Sequence, residues 1–144
     1  MRLARLNPGF VPAGSAISLS KALHDGKTVF LDTLTGSTVT LPAALGSGCK
    51  IRVFERVAAT SNAHVIKVQN STDVMVGGVH VSGTTTVLFP TGATSDTITL
   101  NRTTTGGATN GGVFEFEDIA SGFWGVRGFA HGAGAVATPF SAGV

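Results

Sequence analysis

Short alternating segments separated by glycine-rich turns dominate the stretch from residue 95 to residue 129. Thr97–Leu100 alternates polar and apolar residues, as a half-buried strand does. Val113–Asp118 alternates again, with its two phenylalanines on one face and its two glutamates on the other. The only tryptophan, Trp124, shares a strand face with Val126. Since the intervening Gly and Asn residues reach positive φ at little steric cost, the pattern predicts strands joined by tight turns.

The composition also favours strands over helices. Charged residues make up 12% of the chain, about half of the usual ~25%. Gly and Thr are abundant, whereas Glu and Lys, which favour helices, are scarce. A chain of 144 residues is long enough to bury one core without disulfides. We predict an all-β fold, a single compact β-barrel or sandwich of about eight short strands.

Four matches in sequence order suggest that the fold is built from two similar halves. They pair Thr38–Leu41 with Thr97–Leu100, Val53–Glu55 with Val113–Glu115, Val29-Phe30 with Leu88-Phe89, and Ile66-Lys67 with Val126-Arg127. The matches predict pseudo-repeats at about residues 28–68 and 87–128 that bury their faces on each other. In that arrangement Phe54 superposes on Phe114, and Leu41 on Leu100. The alternative is a chance recurrence of short β patterns.

Two segments read as extended arms around a β domain of residues 15–129. In the N-terminal arm, residues 1–14, prolines and glycines interrupt any regular element. In the C-terminal arm, residues 130–144, only His131 can carry a side-chain charge. Between the two halves, Gly77-Gly78 predicts a turn within a hairpin-rich bridge.

The scarcity of charge bears on the partners that the protein meets. A surface with few charges is poorly soluble when bare, so we expect much of it to contact other protein subunits. The alternative is a compact, threonine-rich β protein. The net charge of +2 is too small to imply nucleic-acid binding, and no run of ~18 apolar residues indicates a membrane span. Arg2 and Arg5 precede no apolar signal-peptide core, so we expect synthesis in a cytoplasm.

The sequence contains no recognisable catalytic or metal-binding pattern. Its four histidines lack paired ligand spacing, and its single cysteine, Cys49, is expected to be buried in register with Ile51 and Val53. Glu55 and Glu115 are read as solvated outer strand positions rather than as a hydrolytic carboxylate pair. Asp residues 32, 73, 96 and 118 lie in or beside turns, where Asp stabilises the local backbone. We expect no enzymatic activity and no cofactor.

Several blocks in combination resemble a known family. They are LDTLTGSTVTLPAALGSGCKIRVFE, SNAHVIKVQNSTDVM, SDTITLNRTTTGG, FWGVRGF and ATPFSAGV, and they cover most of residues 31–144. The chain is similar to the capsid decoration, or cement, proteins of tailed bacteriophages. The resemblance implies a β-rich subunit, commonly a homotrimer, that binds the lattice of the major capsid protein on the exterior of the virion. It implies neither turnover nor a cofactor.

Within this interpretation the two arms are the expected grip on the capsid. The capsid-contact candidates are Arg2, Leu3, Arg5, Leu6, Phe10, Phe129, Phe140 and Val144. Three further aromatic residues, Phe114, Phe116 and Trp124, are expected in the core or near the trimer axis. Related TVTLP-type blocks also occur in phage tail-fibre and spike chains, so the alternative is a module that binds host surface glycans. That alternative requires an exposed aromatic and acidic groove, which Trp124 supplies only if it faces outward.

Overall fold

The computed structural model describes residues 9–144, which form two packed β-sheets. The elements are β1 (Phe10–Pro12), β2 (Ala16–Ser18), α1 (Lys21–His24), β3 (Thr28–Leu31), β4 (Thr38–Thr40), β5 (Lys50–Glu55), β6 (His64–Lys67), β7 (Val74–Ser82), β8 (Val87–Pro90), β9 (Thr97–Leu100), β10 (Val113–Ala120), β11 (Phe123–His131) and β12 (Phe140–Ser141). The predicted all-β sandwich is confirmed. The described residues contain twelve strands rather than about eight.

The first six strands form a parallel coil that passes back and forth between the two sheets. Strands β1, β3 and β5 pair in parallel in the seven-stranded sheet, and β2, β4 and β6 pair in parallel in the five-stranded sheet. Each turn of the coil places one apolar side chain over the next, as in the column Val11, Val29 and Val53. The facing column contains Ile17, Val39 and Ile66. These columns fill the space between the sheets.

The second half of the chain extends both sheets without continuing the coil. The seven-stranded sheet has the order β1-β3-β5-β10-β11-β7-β8, and the five-stranded sheet has the order β12-β9-β6-β4-β2. Strand β7 runs unbroken through Gly77-Gly78, where the sequence predicted a turn. Gly77 has φ of 144°, and a Cβ there would collide with the carbonyl oxygen of Val126 on β11. The two glycines therefore permit close strand approach, and the prediction of a turn is wrong.

The proposed internal repeat does not correspond to two equivalent halves. Phe54 faces outward on β5, whereas its predicted counterpart Phe114 is fully buried on β10. Strand β6 lies in the five-stranded sheet, whereas its counterpart β11 lies in the other sheet. Leu41 and Leu100 are both buried, but their strands have different partners. The sequence matches record a shared strand pattern, because alternation alone does not specify the sheet or the face.

Aromatic side chains from the middle of the seven-stranded sheet occupy the centre of the core. Phe114, Phe116 and Trp124 are all buried within the single chain. Of the two predicted locations, the core or the trimer axis, they occupy the core. The indole Nε1–H of Trp124 donates to the carbonyl oxygen of Pro42 at 3.0 Å, so its polar atom is satisfied. Cys49 is also buried, as predicted.

The chain termini differ from the predicted arms. On the N-terminal side, Phe10–Pro12 forms an edge strand of the body, and residues 1–8 lie outside the described part of the chain. On the C-terminal side, β11 extends to His131, and β12 pairs antiparallel with β9 through Phe140 and Ile98. Phe140 is only 8% exposed. The C-terminal segment therefore belongs to the sandwich through β11 and β12, where Ala130 and Phe140 are buried against the same chain, whereas Val144 is exposed.

One buried carboxylate connects three parts of the fold. Asp118, at the end of β10, accepts hydrogen bonds from the backbone N–H groups of Leu45, Gly46 and Ser47 at 2.7–3.1 Å. The hydroxyl of Ser47 donates to it at 2.7 Å, and the Nζ of Lys21 on α1 lies 2.7 Å away. Burial alone would raise the pKa of Asp118, but the hydrogen bonds from Lys21, Ser47 and Gly46 outweigh burial and hold it well below the ordinary 3.8.

We predict that Asp118→Asn lowers the free energy of unfolding by about 3 kcal/mol at pH 7, because it removes a buried, multiply bonded charge. The contribution of Asp118 is present above the ordinary pKa of 3.8 and is lost as the pH falls below it. Urea unfolding at several pH values measures both effects. The exposed Asp25, whose Oδ1 accepts from the Lys50 N–H at 2.9 Å, provides the control Asp25→Asn. Equal losses in the two variants would contradict the prediction.

The C-terminal strand leads to a second stability prediction. Phe140→Ala should cost about 3–4 kcal/mol, because it empties a core position. Val144, 44% exposed, is the control, and Val144→Ala should cost less than about 0.5 kcal/mol. Thermal unfolding followed by circular dichroism measures both. An unchanged midpoint for Phe140→Ala would show that the last residues are dispensable for the body.

Candidate functional site

The outer face of the seven-stranded sheet carries a row of mostly apolar side chains. Strand alternation turns every second residue of this sheet away from the core. One register position joins all seven strands. Its outward residues, here called the apolar row, are Pro12, Phe30, Phe54, Val113, Phe129, His80 and Leu88. The row thus crosses the whole sheet with six apolar residues and one histidine.

Aromatic contacts order the end of the apolar row near β1. The rings of Phe10 and Phe30 stack with centroids 5.1 Å apart, and those of Phe30 and Phe54 meet edge to face at 6.2 Å. The guanidinium of Arg56 lies over the Phe30 ring, 5.8 Å from its centroid. Further along, Phe129 meets the ring of His131 at 5.4 Å. Packing between β1, β3 and β5 therefore fixes the rings of Phe10, Phe30 and Phe54, whereas the contact of Phe129 with His131 lies within β11.

A charged row lies two residues away along the strands. Glu115 stands between Arg52 and Arg127, with oxygen-to-nitrogen distances of 3.8 and 3.5 Å. This row lines an open groove of about 600 Å³. Gly125, which has no side chain, also lines the groove. The other charged residues that line it are Lys27, Lys50 and Glu117.

Exposed apolar side chains concentrate on this face. Of the ten large apolar residues that are exposed in residues 9–144, six lie here: Phe10, Val76, Leu88, Ile119, Phe123 and Phe129. Contiguous apolar patches on a soluble protein mark interaction sites, whereas singly scattered ones need no explanation. We therefore take the outer face of the seven-stranded sheet as the candidate functional site and call it the outer face.

The predicted contact residues divide between this face, the core and other regions. Phe10 and Phe129 lie on the outer face and are 61% and 42% exposed. Val144 is exposed at the C-terminus, whereas Phe140 is buried and has no free surface to offer a partner. The remaining candidates, Arg2, Leu3, Arg5 and Leu6, lie outside the described residues. Most of the apolar row was missed, because its members align only when the strand register is known.

A second cluster is buried at the end of β5 and combines a carboxyl with an imidazole. Glu55 has no exposed surface, so its interpretation as a solvated outer position is wrong. Glu55 alternates in step with Ile51 and Val53 and so shares their strand face, which is the signal in the sequence that could have revealed its burial. The Oε2 of Glu55 lies 3.8 Å from the Nε2 of His64, and neither carboxyl oxygen has a hydrogen-bond partner in the described residues.

The imidazole of His64 is held in one neutral tautomer. Its Nδ1 accepts the N–H of Ser37 at 2.9 Å, so the proton is on Nε2, which donates to the carbonyl oxygen of Val57 at 2.8 Å. Burial lowers the pKa of His64 and raises that of Glu55 to about 7. The pair is thus neutral below that pH, with Glu55 as the acid, and the Coulombic attraction of an ion pair is absent.

The rest of the described chain shows little reactive chemistry. Burial, followed by the negative charge of Asp25, raises the pKa of the Cys49 thiol to about 11. Within residues 9–144, no group of three His, Cys, Asp or Glu side chains could hold a metal ion. The helical part of the same residues contains no segment long and apolar enough to cross a membrane.

Comparisons with known proteins leave the family open. No family model matches the sequence, and no curated protein or solved structure is significantly similar to it. The resemblance to phage decoration proteins therefore stays a prediction.

The Glu55 site leads to a pH-dependent prediction. Glu55 binds its proton more tightly in the folded state than at the ordinary pKa of 4.5, so stability falls as the pH rises from about 4.5 to about 7. Glu55→Gln keeps the shape of the protonated side chain and cannot ionise. We expect it to stabilise the protein by about 2–3 kcal/mol at pH 8 and by less than about 1 kcal/mol at pH 4.5.

Urea unfolding of wild type, Glu55→Gln and the exposed-site control Glu117→Gln measures this effect. The control should keep the pH dependence of the wild type, because Glu117 is solvated. A Glu55→Gln variant as pH-dependent as the wild type would show that the carboxyl remains ionised in the folded protein.

Proposed function

We propose that the protein is a structural virion protein that decorates and stabilises the capsid of a tailed bacteriophage through its outer face. The observation that carries the proposal is the apolar row, which extends across all seven strands beside the charged row of Arg52, Glu115 and Arg127. A surface of this kind favours attachment to another protein. The resemblance of the sequence blocks to decoration proteins supplies the kind of partner, the major capsid protein.

The proposed mechanism is stabilisation by binding and requires no reaction. A protein that binds only the assembled shell shifts the equilibrium toward that shell by mass action. We propose a homotrimer, because three copies held together bind a lattice through their effective concentration, even when each contact is weak. The protein would be made in the cytoplasm of the bacterial host and carried on the exterior of the capsid.

The attachment surface differs from the arms that the sequence suggested. Phe140 is buried in the sandwich. It therefore stabilises the fold and does not belong to a free capsid-binding arm. Phe10 and Phe129 keep their role as contact candidates, now as members of one face. Arg2, Leu3, Arg5 and Leu6 remain contact candidates from the sequence and lie outside the described residues.

A glycan-binding tail-fibre or spike module is the second candidate. Trp124 no longer supports it, because the indole is buried and bonded to Pro42. Its remaining support is the groove, where the carboxylates of Glu115 and Glu117 lie beside exposed apolar side chains. A glycan array tests this candidate directly.

Cosedimentation with phage heads that lack the protein tests the proposed function. Wild type should sediment with the heads, and Phe129→Ser should bind at least about tenfold more weakly, because it removes an aromatic anchor from the apolar row. Leu34, 55% exposed and outside the two sheets, gives the matched control Leu34→Ser, which should bind as wild type does. Failure of the wild type to sediment would overturn the proposal, and equal binding of both variants would move the attachment surface elsewhere.

A further inference from the structure

The charges on the outer face are unbalanced. Besides Lys27, the groove is lined by three basic residues, Lys50, Arg52 and Arg127, and by only two carboxylates. Arg56 adds a further cation on the same face, over the Phe30 ring. Because Glu115 is shared between two guanidinium groups, it neutralises them only in part. A partner that covers this face must therefore bring negative charge with it.

A second copy of the chain is a poor source of that charge. Away from the outer face, four acidic residues are buried: Glu55, Asp73, Asp96 and Asp118. The remaining two described acids, Asp25 and Asp32, form no cluster, since they accept the backbone N–H groups of two different segments, at Lys50 and Gly14. The described surface thus lacks an acidic patch complementary to its own outer face. The charge must therefore come from a different molecule.

Nucleic acid fits the groove less well than an acidic protein does. Glu115 and Glu117 lie among the cations and would repel a continuous row of phosphates. The stacking surfaces are also partly occupied, since Phe10 stacks on Phe30 and Arg56 covers the same ring. A protein segment can place single carboxylates beside the arginines and apolar side chains elsewhere, as the alternation of apolar and charged rows requires.

The spacing of the rows defines the pattern of that segment. Phe129, Arg127 and Gly125 are successive outward residues of β11, separated by about 6–7 Å. An extended chain aligned with β11 repeats its facing side chains at the same distance. An apolar residue then meets Phe129, an acid two residues along meets Arg127, and a second apolar residue fills the space above Gly125 beside Ile119.

We propose that the outer face binds an extended partner segment of the pattern apolar-x-acidic-x-apolar, laid along β11 with its acid at Arg127. The inference rests on the proposed function, because it takes the outer face as the attachment surface. It adds the chemistry and spacing by which the partner is recognised.

Charge-reversal variants distinguish a failure of this inference from a failure of the proposed function. The double variant Lys50→Glu/Arg127→Glu should bind phage heads at least about tenfold more weakly than wild type. The control Lys67→Glu/Arg102→Glu makes the same change in net charge outside the outer face and should bind as wild type does. Wild-type binding should also weaken with added salt, because the contacts are ionic. If wild type binds heads and both double variants bind equally well, the inference fails and the proposed function stands.

A peptide titration tests the inference without phage heads, so its result does not depend on whether the protein binds them. The probe is a blocked peptide, Ser-Leu-Ser-Glu-Ser-Leu-Ser, titrated to millimolar concentration into isotopically labelled protein. Its glutamate should shift the amide resonances of Gly125 and Arg127, and the same peptide with lysine in place of glutamate should not. Absence of these shifts, or tighter binding of an oligothymidine than of the glutamate peptide, would overturn the inference.

Discussion

The sandwich depends on the carboxylate of Asp118 more than on any other single polar group. It satisfies three consecutive backbone N–H groups at residues 45–47 and holds Lys21 of α1. These segments belong to the parallel coil, whereas Asp118 ends β10, so one side chain fastens the coil to the second half of the chain. Parallel strands need long crossover connections, and such connections carry N–H groups that no strand pairs. A buried carboxylate can accept several of them together, which an amide or a hydroxyl does less well.

Alternation in the sequence was enough to locate most strands and to show which of their residues share a face. The predicted segments Thr97–Leu100 and Val113–Asp118 correspond to β9 and β10, with Phe114 and Phe116 inside. The parallel coil could not be predicted from the sequence, because the residue pattern of a three-residue strand such as β4 is the same whether its neighbours are parallel or antiparallel. The false internal repeat has the same origin. Period-two patterns encode which residues share a face, but sheet membership is decided by long-range packing.

The candidate site shows the same division between local and long-range information. The outward positions of Glu115 and Arg127 followed from alternation, and their proximity followed only from the register of β10 and β11. The apolar row needs six such registers at once. Glu55 is a different case, because its parity with Val53 was visible in the sequence. Its charge favoured the surface, yet the enclosed end of β5 places it inside and raises its pKa instead.

The positive character of the outer face follows from the way in which the fold uses its acids. Asp73 accepts the Ala44 N–H at 2.8 Å, and Asp96 accepts the Gly143 N–H at 2.7 Å. Together with Asp118 they accept hydrogen bonds from the backbone of buried loops. Lysine and arginine side chains have no acceptor atom and cannot take this role. Apart from Lys21, whose Nζ is buried beside Asp118, the described basic side chains lie at least partly at the surface, and five of them surround the groove and the Phe30 ring. A chain with nearly balanced charge thus presents a cationic face, because the demand for backbone acceptors inside the sandwich removes its negative charges from the surface.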